Sequence, residues 1–225
     1  MKKILIAIPC QREVPTEFFL SMIGLQTVEQ TEISVVANSL VYTARNALAL
    51  KAIDESFDYI FWIDSDMVFP RDTLVKLYEC AEKNNLDYVS ALMFTRAMPC
   101  EPIFYKQVLW EQDPKTGAVI KHGAEKYFDY PRNDRPFEVG GSGMGCVLMK
   151  TSVVKEIAER FQCSPFEPMP FLGEDISFCW RLGRLGHRMY CDGRVKVGHV
   201  GSYVYKEETH LECEAKKNAD SGKSV

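Results

Sequence analysis

Hydrophobic positions in the first 95 residues switch repeatedly between continuous apolar runs and runs with helical spacing. Short runs rich in β-branched and aromatic residues predict buried strands over 3–9, 33–37, 59–63 and 87–94. Apolar residues three and four positions apart predict helices over 16–27, 43–57 and 70–84. Such an alternation of strands and helices is typical of an α/β domain whose central sheet is mainly parallel.

The pattern changes after residue 95. Five prolines lie between 95 and 138, and the turn sequence 113–117 (Asp-Pro-Lys-Thr-Gly) favours loops and a hairpin over another strand–helix unit. Regular elements are then predicted as strands over 137–139, 146–149, 188–191 and 195–197, and as helices over 152–161 and 174–185. The polar stretch 206–225 predicts a frayed helix or a disordered tail.

Composition narrows the class of protein. A chain of 225 residues is long enough for one well-buried domain, and a net charge of -4 argues against a nucleic-acid partner. No apolar run approaches the roughly 20 residues of a membrane span, and the N-terminus lacks a signal sequence, so we predict a cytoplasmic protein. The eight cysteines include no Cys-x-x-Cys pair, which favours buried thiols over disulfides or a zinc site.

Two aspartates follow directly on the apolar strand predicted over 59–63. Asp64 and Asp66 stand one residue apart where that strand ends, and an unpaired carboxylate at a buried position is costly. The carboxyl end of a strand is also where ligands bind in open α/β sheets. An Asp-x-Asp triplet alone can be a surface turn, but this context favours oxygen ligands for Mg²⁺ or Mn²⁺ beside a phosphate-bearing substrate.

A second acidic pair, Glu174 and Asp175, opens the helix predicted over 174–185. Carboxylates in a first helical turn are stabilised by the helix dipole, which is a sufficient structural reason for Glu174. The preceding loop, 165–172, carries three large apolar side chains, and such a loop can hold a carboxylate at the wall of a pocket. A carboxylate facing a metal site would suit a general base that takes a proton from an attacking hydroxyl.

The glycine-rich run 140–145 precedes the strand predicted over 146–149. It is not a P-loop, because no Gly-Lys-Ser/Thr follows, and a strand stands where the dinucleotide fingerprint requires a helix. The glycines either let the backbone approach a ligand closely or form a flexible connection.

Histidine and arginine supply the remaining candidates. His199 follows a short predicted strand and is flanked by glycines at 198 and 201. A lone histidine is usually structural, but a neutral imidazole can complete a metal site begun by two carboxylates. Arg45, in the helix before the acidic strand, either faces a diphosphate or is simply solvated. The other three histidines are predicted to lie on the surface: His122, His187 and His210.

Taken in order, these features resemble the nucleotide-sugar glycosyltransferases of the GT-A type, most nearly the family 2-like enzymes. The resemblance covers about residues 3–203 and is carried by the first strand at 4–9, Asp64-Ser65-Asp66, the glycine run, Gly173-Glu174-Asp175 and His199. It implies one α/β domain over 1–205, with a Rossmann-like nucleotide-binding half and a smaller acceptor-side part, followed by the polar tail 206–225.

The resemblance also implies a function. It points to metal-dependent transfer of a hexosyl group from a UDP- or GDP-sugar to a hydroxyl of a sugar, lipid-linked or protein acceptor, with inversion in a single displacement. Asp175 would be the base and Glu174 its support. The implied metal ligands are Asp64, Asp66 and His199. The residues implied to contact the donor or line its pocket are Pro9, Glu13, Arg45, Asp64, Gly141, Ser142 and Gly143.

Some features depart from the family pattern. Cys10-Gln11-Arg12 stands where an asparagine often follows the proline of the first strand, and there is no Gln-x-x-Arg-Trp motif of the processive synthases. Two alternatives stay open: a sugar nucleotidyltransferase or nucleotide-sugar hydrolase, and a non-catalytic module that binds nucleotide sugars. A nucleotidyltransferase would be expected to carry a glycine-rich loop with a basic residue directly after the first strand, and residues 10–13 contain no glycine. The pair Glu174-Asp175 argues against a module that only binds, because such a module has no need of a base. A homo-oligomer is also left open.

Overall fold

The structure of the protein is a computed structural model that describes residues 2–28, 30–201 and 204–221. The strands are β1 (Lys3–Cys10), β2 (Gln30–Ala37), β3 (Tyr59–Ile63), β4 (Met67–Val68), β5 (Tyr88–Leu92), β6 (Phe104–Gln112), β7 (Val119–Lys126), β8 (Pro136–Val139), β9 (Gly141–Ser142), β10 (Cys146–Lys150), β11 (Met189–Lys196), β12 (Gly198–Val200) and β13 (Val204–Tyr205). The helices are α1 (Thr16–Gly24), α2 (Val41–Asp54), α3 (Thr73–Asn84), α4 (Thr151–Phe161), α5 (Glu174–Arg184) and α6 (Glu207–Ser221).

The central sheet has seven strands in the order β2-β1-β3-β10-β5-β11-β8. Its parallel pairings are β1 with β2, β1 with β3, and β5 with β11. Its antiparallel pairings are β10 with β3, β10 with β5, and β11 with β8. The sheet is therefore mixed, and the prediction of a mainly parallel sheet is not confirmed. The sequence did not reveal this because a strand buried on both faces is apolar whichever way it runs.

The core of the molecule lies in the middle of this sheet. Every residue of β3 and of β5 is buried, as their continuous apolar sequences predict. Helix α2 packs on β1 and β2, and α3 packs on β5, β10 and β11. The predicted alternation of strands and helices before residue 95 is confirmed, with β4 as an additional short strand.

The middle of the chain forms the predicted hairpin. Strands β6 and β7 pair antiparallel, and the turn between them is held by two backbone N–H groups, of Lys115 and Thr116, that donate to the Asp113 carboxylate. Strand β9 pairs with β6 and forms a three-stranded sheet with this hairpin. The local turn chemistry of Asp113 and Gly117 was sufficient to predict this element.

The end of the chain differs from the prediction in two places. The two short strands predicted over 188–191 and 195–197 form one strand, β11. His210, predicted to lie on the surface, is only 1% exposed in α6, where its ring stacks on Phe94 and its Nδ1 bonds to the carbonyl of Cys100. Residues 222–225 of the predicted tail lie outside the described residues.

A small sheet of β13, β12 and β4 lies beside the end of β3. Its register pairs His199 with Met67 and so brings a residue near the end of the chain next to the acidic segment. Within the described parts of the chain, no helix is both long enough and apolar enough to cross a membrane.

Candidate active site

The two aspartates of the acidic segment stand in a turn at the end of β3. The N–H of Asp64 donates to the carbonyl of Gly145 at 2.9 Å, and the N–H of Met67 donates to the carbonyl of Asp64 at 3.1 Å. The side chains of Asp64 and Asp66 are 27% and 25% exposed, so both are accessible to a ligand. The end of a buried strand thus presents two carboxylates at the edge of the sheet.

His199 faces Asp66 across the small sheet. Its Nε2 lies 3.8 Å from Asp66 Oδ1, and the N–H of the next residue, Val200, donates to the backbone carbonyl of Asp66 at 2.7 Å. The Nδ1 of His199 lies 2.8 Å from the carbonyl oxygen of Phe94. Because a carbonyl only accepts, Nδ1 carries the hydrogen, and the neutral ring has its lone pair on Nε2. Histidines that bind metals are commonly oriented in this way.

Arg96 contacts the other oxygen of Asp66. It lies in the loop after β5, and its Nη1 forms an ion pair with Asp66 Oδ2. The sequence reasoning missed this residue. Its position after a buried strand, like that of Asp64 and Asp66, was the available signal, because parallel strands end at the same edge of a sheet.

The donor set around Asp66 bears on metal binding. Within the described residues, no three His, Cys, Asp or Glu side chains converge on one point that could hold a metal ion. Asp66 and His199 do converge, and a guanidinium already balances the charge of Asp66. Magnesium and manganese commonly take only one or two side chains and complete their shell with phosphate and water oxygens. This pair fits such a partial site.

Asp175 lies in the first turn of α5, directly after Gly173 and Glu174. A Cβ atom at position 173 would lie 2.9 Å from Asp175 Oδ1, so the glycine leaves the space in which the carboxylate folds back over the helix start. Asp175 Oδ1 accepts a hydrogen bond from the N–H of Ile176 at 2.7 Å. Burial, followed by the nearby charge of Glu174, raises the pKa of Asp175 to about 6, although the N–H of Ile176 and Arg45 oppose the shift.

Arg45 connects the two acidic segments. Its side chain is 2% exposed; its Nη2 donates to Asp64 Oδ1 at 2.8 Å and its Nε to Glu174 Oε1 at 3.3 Å. The guanidinium lies 5.6 Å from the ring centre of Trp62, and its Nη1 is buried without a hydrogen-bond partner among the described residues. Arg45 is therefore neither simply solvated nor placed apart from the acids: it holds Asp64 and Glu174 together.

The glycine run 140–145 passes between Asp64 and Asp175. A Cβ at Gly145 would lie 3.5 Å from Asp64 Oδ2, and one at Gly143 would lie 3.7 Å from Asp175 Oδ2. Ser142 is buried, and its hydroxyl bonds to Tyr88 at 2.8 Å and to the carbonyl of Gly143 at 2.9 Å. Gly141 is packed against Cys179, where a Cβ would come within 2.9 Å of the cysteine Cβ. The run thus lines the space between Asp64 and Asp175 with backbone.

Two predicted donor contacts come from the loop after β1. Pro9 is buried in β1, and Glu13 is exposed in the loop that follows. Because β1 is parallel to β3, this loop begins at the same edge of the sheet as Asp64. The structure shows this common edge and no direct bond between these side chains and the acids within the described residues.

Tyr105, the second residue of the hairpin strand β6, is a further residue that the sequence reasoning missed. Burial, followed by the charge of Asp175 and then Cys179, raises its pKa to about 12, so the phenol stays protonated near the carboxylate. An aromatic residue in a hairpin strand carries no sequence signal for such a position, since packing explains it equally well.

Two of the solved structures that resemble this chain illustrate the shared architecture. A197 from STIV matches with a TM-score of 0.57 and 18% identity, over 89% of this chain and 86% of that chain. GalNAc-T7 with UDP, GalNAc and Mn²⁺ matches with a TM-score of 0.56 and 11% identity, over 95% of this chain. The fold is GT-A-like. This chain spans about half (47%) of the GalNAc-T7 chain, and no protein-family model and no curated protein sequence matches it.

Proposed function

We propose that the protein is a metal-dependent glycosyltransferase that moves a hexosyl group from a UDP- or GDP-sugar to an acceptor hydroxyl. The observation that carries the proposal is the two-sided site: Asp66 and His199 on one side, Asp175 on the other, and Arg45 and the glycine run between them. The GT-A-like fold supports it, and the GalNAc-T7 structure contains UDP and Mn²⁺, which makes these the first donor nucleotide and metal to test.

On the metal side, Asp66 and His199 would hold a divalent ion, and Asp64 would bind either the same ion or the donor ribose. When bound, the ion neutralises the negative charge that develops on the departing diphosphate. Asp64 is oriented for this role by Arg45, and Asp66 by its backbone bond to Val200.

On the base side, Asp175 would take the proton of the acceptor hydroxyl. Its Oδ1 is engaged by the N–H of Ile176, whereas its Oδ2 faces Gly143 and is the oxygen available to a substrate. With a pKa of about 6 the carboxylate is ionised at neutral pH and still basic enough to assist the attack. The acceptor oxygen then bonds to the anomeric carbon as the bond to the diphosphate breaks, with inversion.

The test is a donor panel. The protein is incubated with UDP- and GDP-sugars, Mn²⁺ and simple acceptors, and free nucleoside diphosphate is measured. We expect release that is lost in Asp66→Ala and retained in Asp54→Ala, which removes an exposed carboxylate at the end of α2.

Other products would contradict the proposal in distinct ways. Nucleoside monophosphate or free sugar phosphate would indicate a nucleotide-sugar hydrolase or a nucleotidyltransferase. Saturable donor binding without turnover, for every acceptor, would indicate a module that only binds nucleotide sugars. Release that is equal in the wild type and in Asp66→Ala would refute the role of the metal side.

A further inference from the structure

A cavity lies between β6 and α5. Its volume is about 300 Å³. The strand contributes Val108, Trp110 and Glu111, and the helix contributes Trp180, Gly183 and Arg184. Leu109, Cys179 and Gly140 of the glycine run complete the lining, so the cavity borders the site described above.

The cavity is aligned with Asp175 along one face of α5. Asp175, Cys179 and Gly183 are spaced four residues apart, so their positions follow one another on the same side of the helix. At 1.5 Å per residue, Gly183 lies roughly 12 Å along the helix axis from Asp175. The neighbouring strand runs alongside, with Tyr105 near Asp175 and Trp110 further along. Cys179, which lies between Asp175 and Gly183, is fully buried and packed against Gly141, so the cavity and the Asp175 carboxylate are separate places on the same side of α5.

The walls combine aromatic rings with charged groups. The rings of Trp110 and Trp180 meet edge to face, with centres 5.4 Å apart, and Trp110 is anchored by its Nε1–H, which donates to the carbonyl of Pro170 at 3.1 Å. The Arg184 guanidinium lies 5.8 Å from the centre of the Trp180 ring, and Glu111 supplies a carboxylate. Apolar rings with a few polar groups are typical of small-molecule sites. A saccharide ring, with an apolar C–H face and a rim of hydroxyls, matches both kinds of wall.

Gly183 keeps the cavity open. Glycine inside a helix costs about 1 kcal/mol relative to alanine, so its presence calls for a reason. Steric crowding inside the protein is not that reason, because a Cβ at position 183 would meet nothing closer than Met189 Cε at 4.0 Å. The missing side chain instead leaves room on the face of the helix that lines the cavity.

We propose that this cavity is an accessory subsite that binds one sugar ring of an oligosaccharide acceptor, at a distance from the ring whose hydroxyl is attacked. The proposal rests on the proposed function and adds the substrate class: an acceptor of at least two sugar rings, not a single sugar or a peptide. The small volume, near the lower end of the range for ligand sites, suits one ring and not a folded partner.

Tryptophan fluorescence tests the subsite directly. Two of the three tryptophans line the cavity, and the third, Trp62, is fully buried in the core. Wild-type protein is titrated with maltotriose, cellotriose and chitotriose, with the corresponding monosaccharides, and with a short serine- and threonine-rich peptide. We expect a saturable change with at least one trisaccharide, in the millimolar range or tighter.

The decisive variant is Gly183→Leu, which fills the cavity without a clash inside the protein. We expect trisaccharide affinity to fall at least about tenfold, while the melting temperature stays the same or rises. Gly24→Leu is the matched control, since a Cβ at Gly24 also meets nothing within 4 Å and this residue lies at the end of α1. If Gly183→Leu does not fold, Arg184→Ala, which alters an exposed side chain, replaces it and should weaken binding severalfold.

Three results would overturn the subsite: no response to any trisaccharide, an equal response to monosaccharides, or a response to the peptide alone. Unchanged trisaccharide affinity in a folded Gly183→Leu protein would do the same. The proposed function is judged separately, by nucleoside diphosphate release from the wild type. Release without trisaccharide binding refutes the subsite alone, and trisaccharide binding without release refutes the transferase alone.

Discussion

The metal side and the base side of the candidate site hold the same functional group in opposite surroundings. The two oxygens of Asp66 face basic side chains: Oδ2 contacts the guanidinium of Arg96, and Oδ1 lies 3.8 Å from the lone-pair nitrogen of His199, Nε2. Asp175 instead stands next to Glu174 with Asp64 nearby, and its pKa is raised to about 6, chiefly by burial. The surroundings of Asp66 suit a carboxylate that binds a cation, and those of Asp175 suit a carboxylate that accepts a proton.

The largest expected effect is a loss of transfer rate when the base side alone is changed. Asp175→Asn keeps the shape of the side chain and removes the base, so we expect the transfer rate to fall roughly 10²–10⁴-fold. Donor affinity, measured by calorimetry with UDP and Mn²⁺, should not change. Glu167→Gln, an exposed change in the loop before α5, is the control. An equal loss of donor affinity in Asp175→Asn would show that the sides are not separate.

The second prediction concerns Arg45, which pairs with Asp64 on the metal side and with Glu174 on the base side. Arg45→Met leaves Asp64 and Glu174 without their common partner, and breaking a buried ion pair in this way typically costs about 3–5 kcal/mol of unfolding free energy. Urea denaturation measures it. Arg188→Met breaks an exposed pair with Glu138 and should cost less than about 1 kcal/mol. Similar values for the two variants would mean that Arg45 does not hold the sides together.

His199→Ala tests the metal side alone. Loss of one of two converging donors should weaken Mn²⁺ binding at least about tenfold, measured by calorimetry in the presence of UDP. His122→Ala, which removes a ring stacked on Phe171 at the surface of the hairpin, should leave Mn²⁺ affinity unchanged. Equal Mn²⁺ affinity in His199→Ala and the wild type would remove His199 from the metal site.

The pH dependence of transfer tests the base side. The ionised form of Asp175 is the active one, so kcat/KM should be constant above about pH 6 and fall about tenfold per unit below it. Because the charge of Glu174 raises this pKa, Glu174→Gln should move the midpoint to lower pH. A midpoint unchanged in Glu174→Gln would contradict that origin of the shift.

The smallest expected effect concerns Arg96. Its side chain is 59% exposed, and exposed ion pairs contribute about 0–1 kcal/mol. If Arg96 competes with a cation for Asp66, Arg96→Ala should tighten Mn²⁺ binding by up to about fivefold. Weaker Mn²⁺ binding in this variant would show that Arg96 assists the metal side.

The parts of the molecule that were predictable depend on local chemistry. The apolar run of β3 followed by Asp64 and Asp66, and the hairpin turn at Asp113, are each specified by neighbouring residues. The start of α5 at Glu174 is also local, because a glycine and two acids suit a helix N-terminus.

The parts that were not predictable depend on residues far apart in the chain. Arg45 and Glu174 are separated by 129 positions, and an arginine in a helix gives no sign that it will be buried. Strands β4 and β12 have two and three residues, too few for a periodic pattern, yet they place His199 beside Asp66. The direction of β10 is equally hidden, since its sequence is apolar throughout the part that enters the core.

The late position of β10 in the chain leads to an expectation about folding. The acid-bearing strand β3 pairs on one side with β1 and on the other with β10, whose residues Cys146–Lys150 are made much later during synthesis. Contacts between such distant segments form slowly, and until they form one edge of β3 lacks its partner. The backbone bond from Asp64 to Gly145 belongs to this same late event. We therefore expect the acidic turn and the glycine run to come together only when β10 joins the sheet.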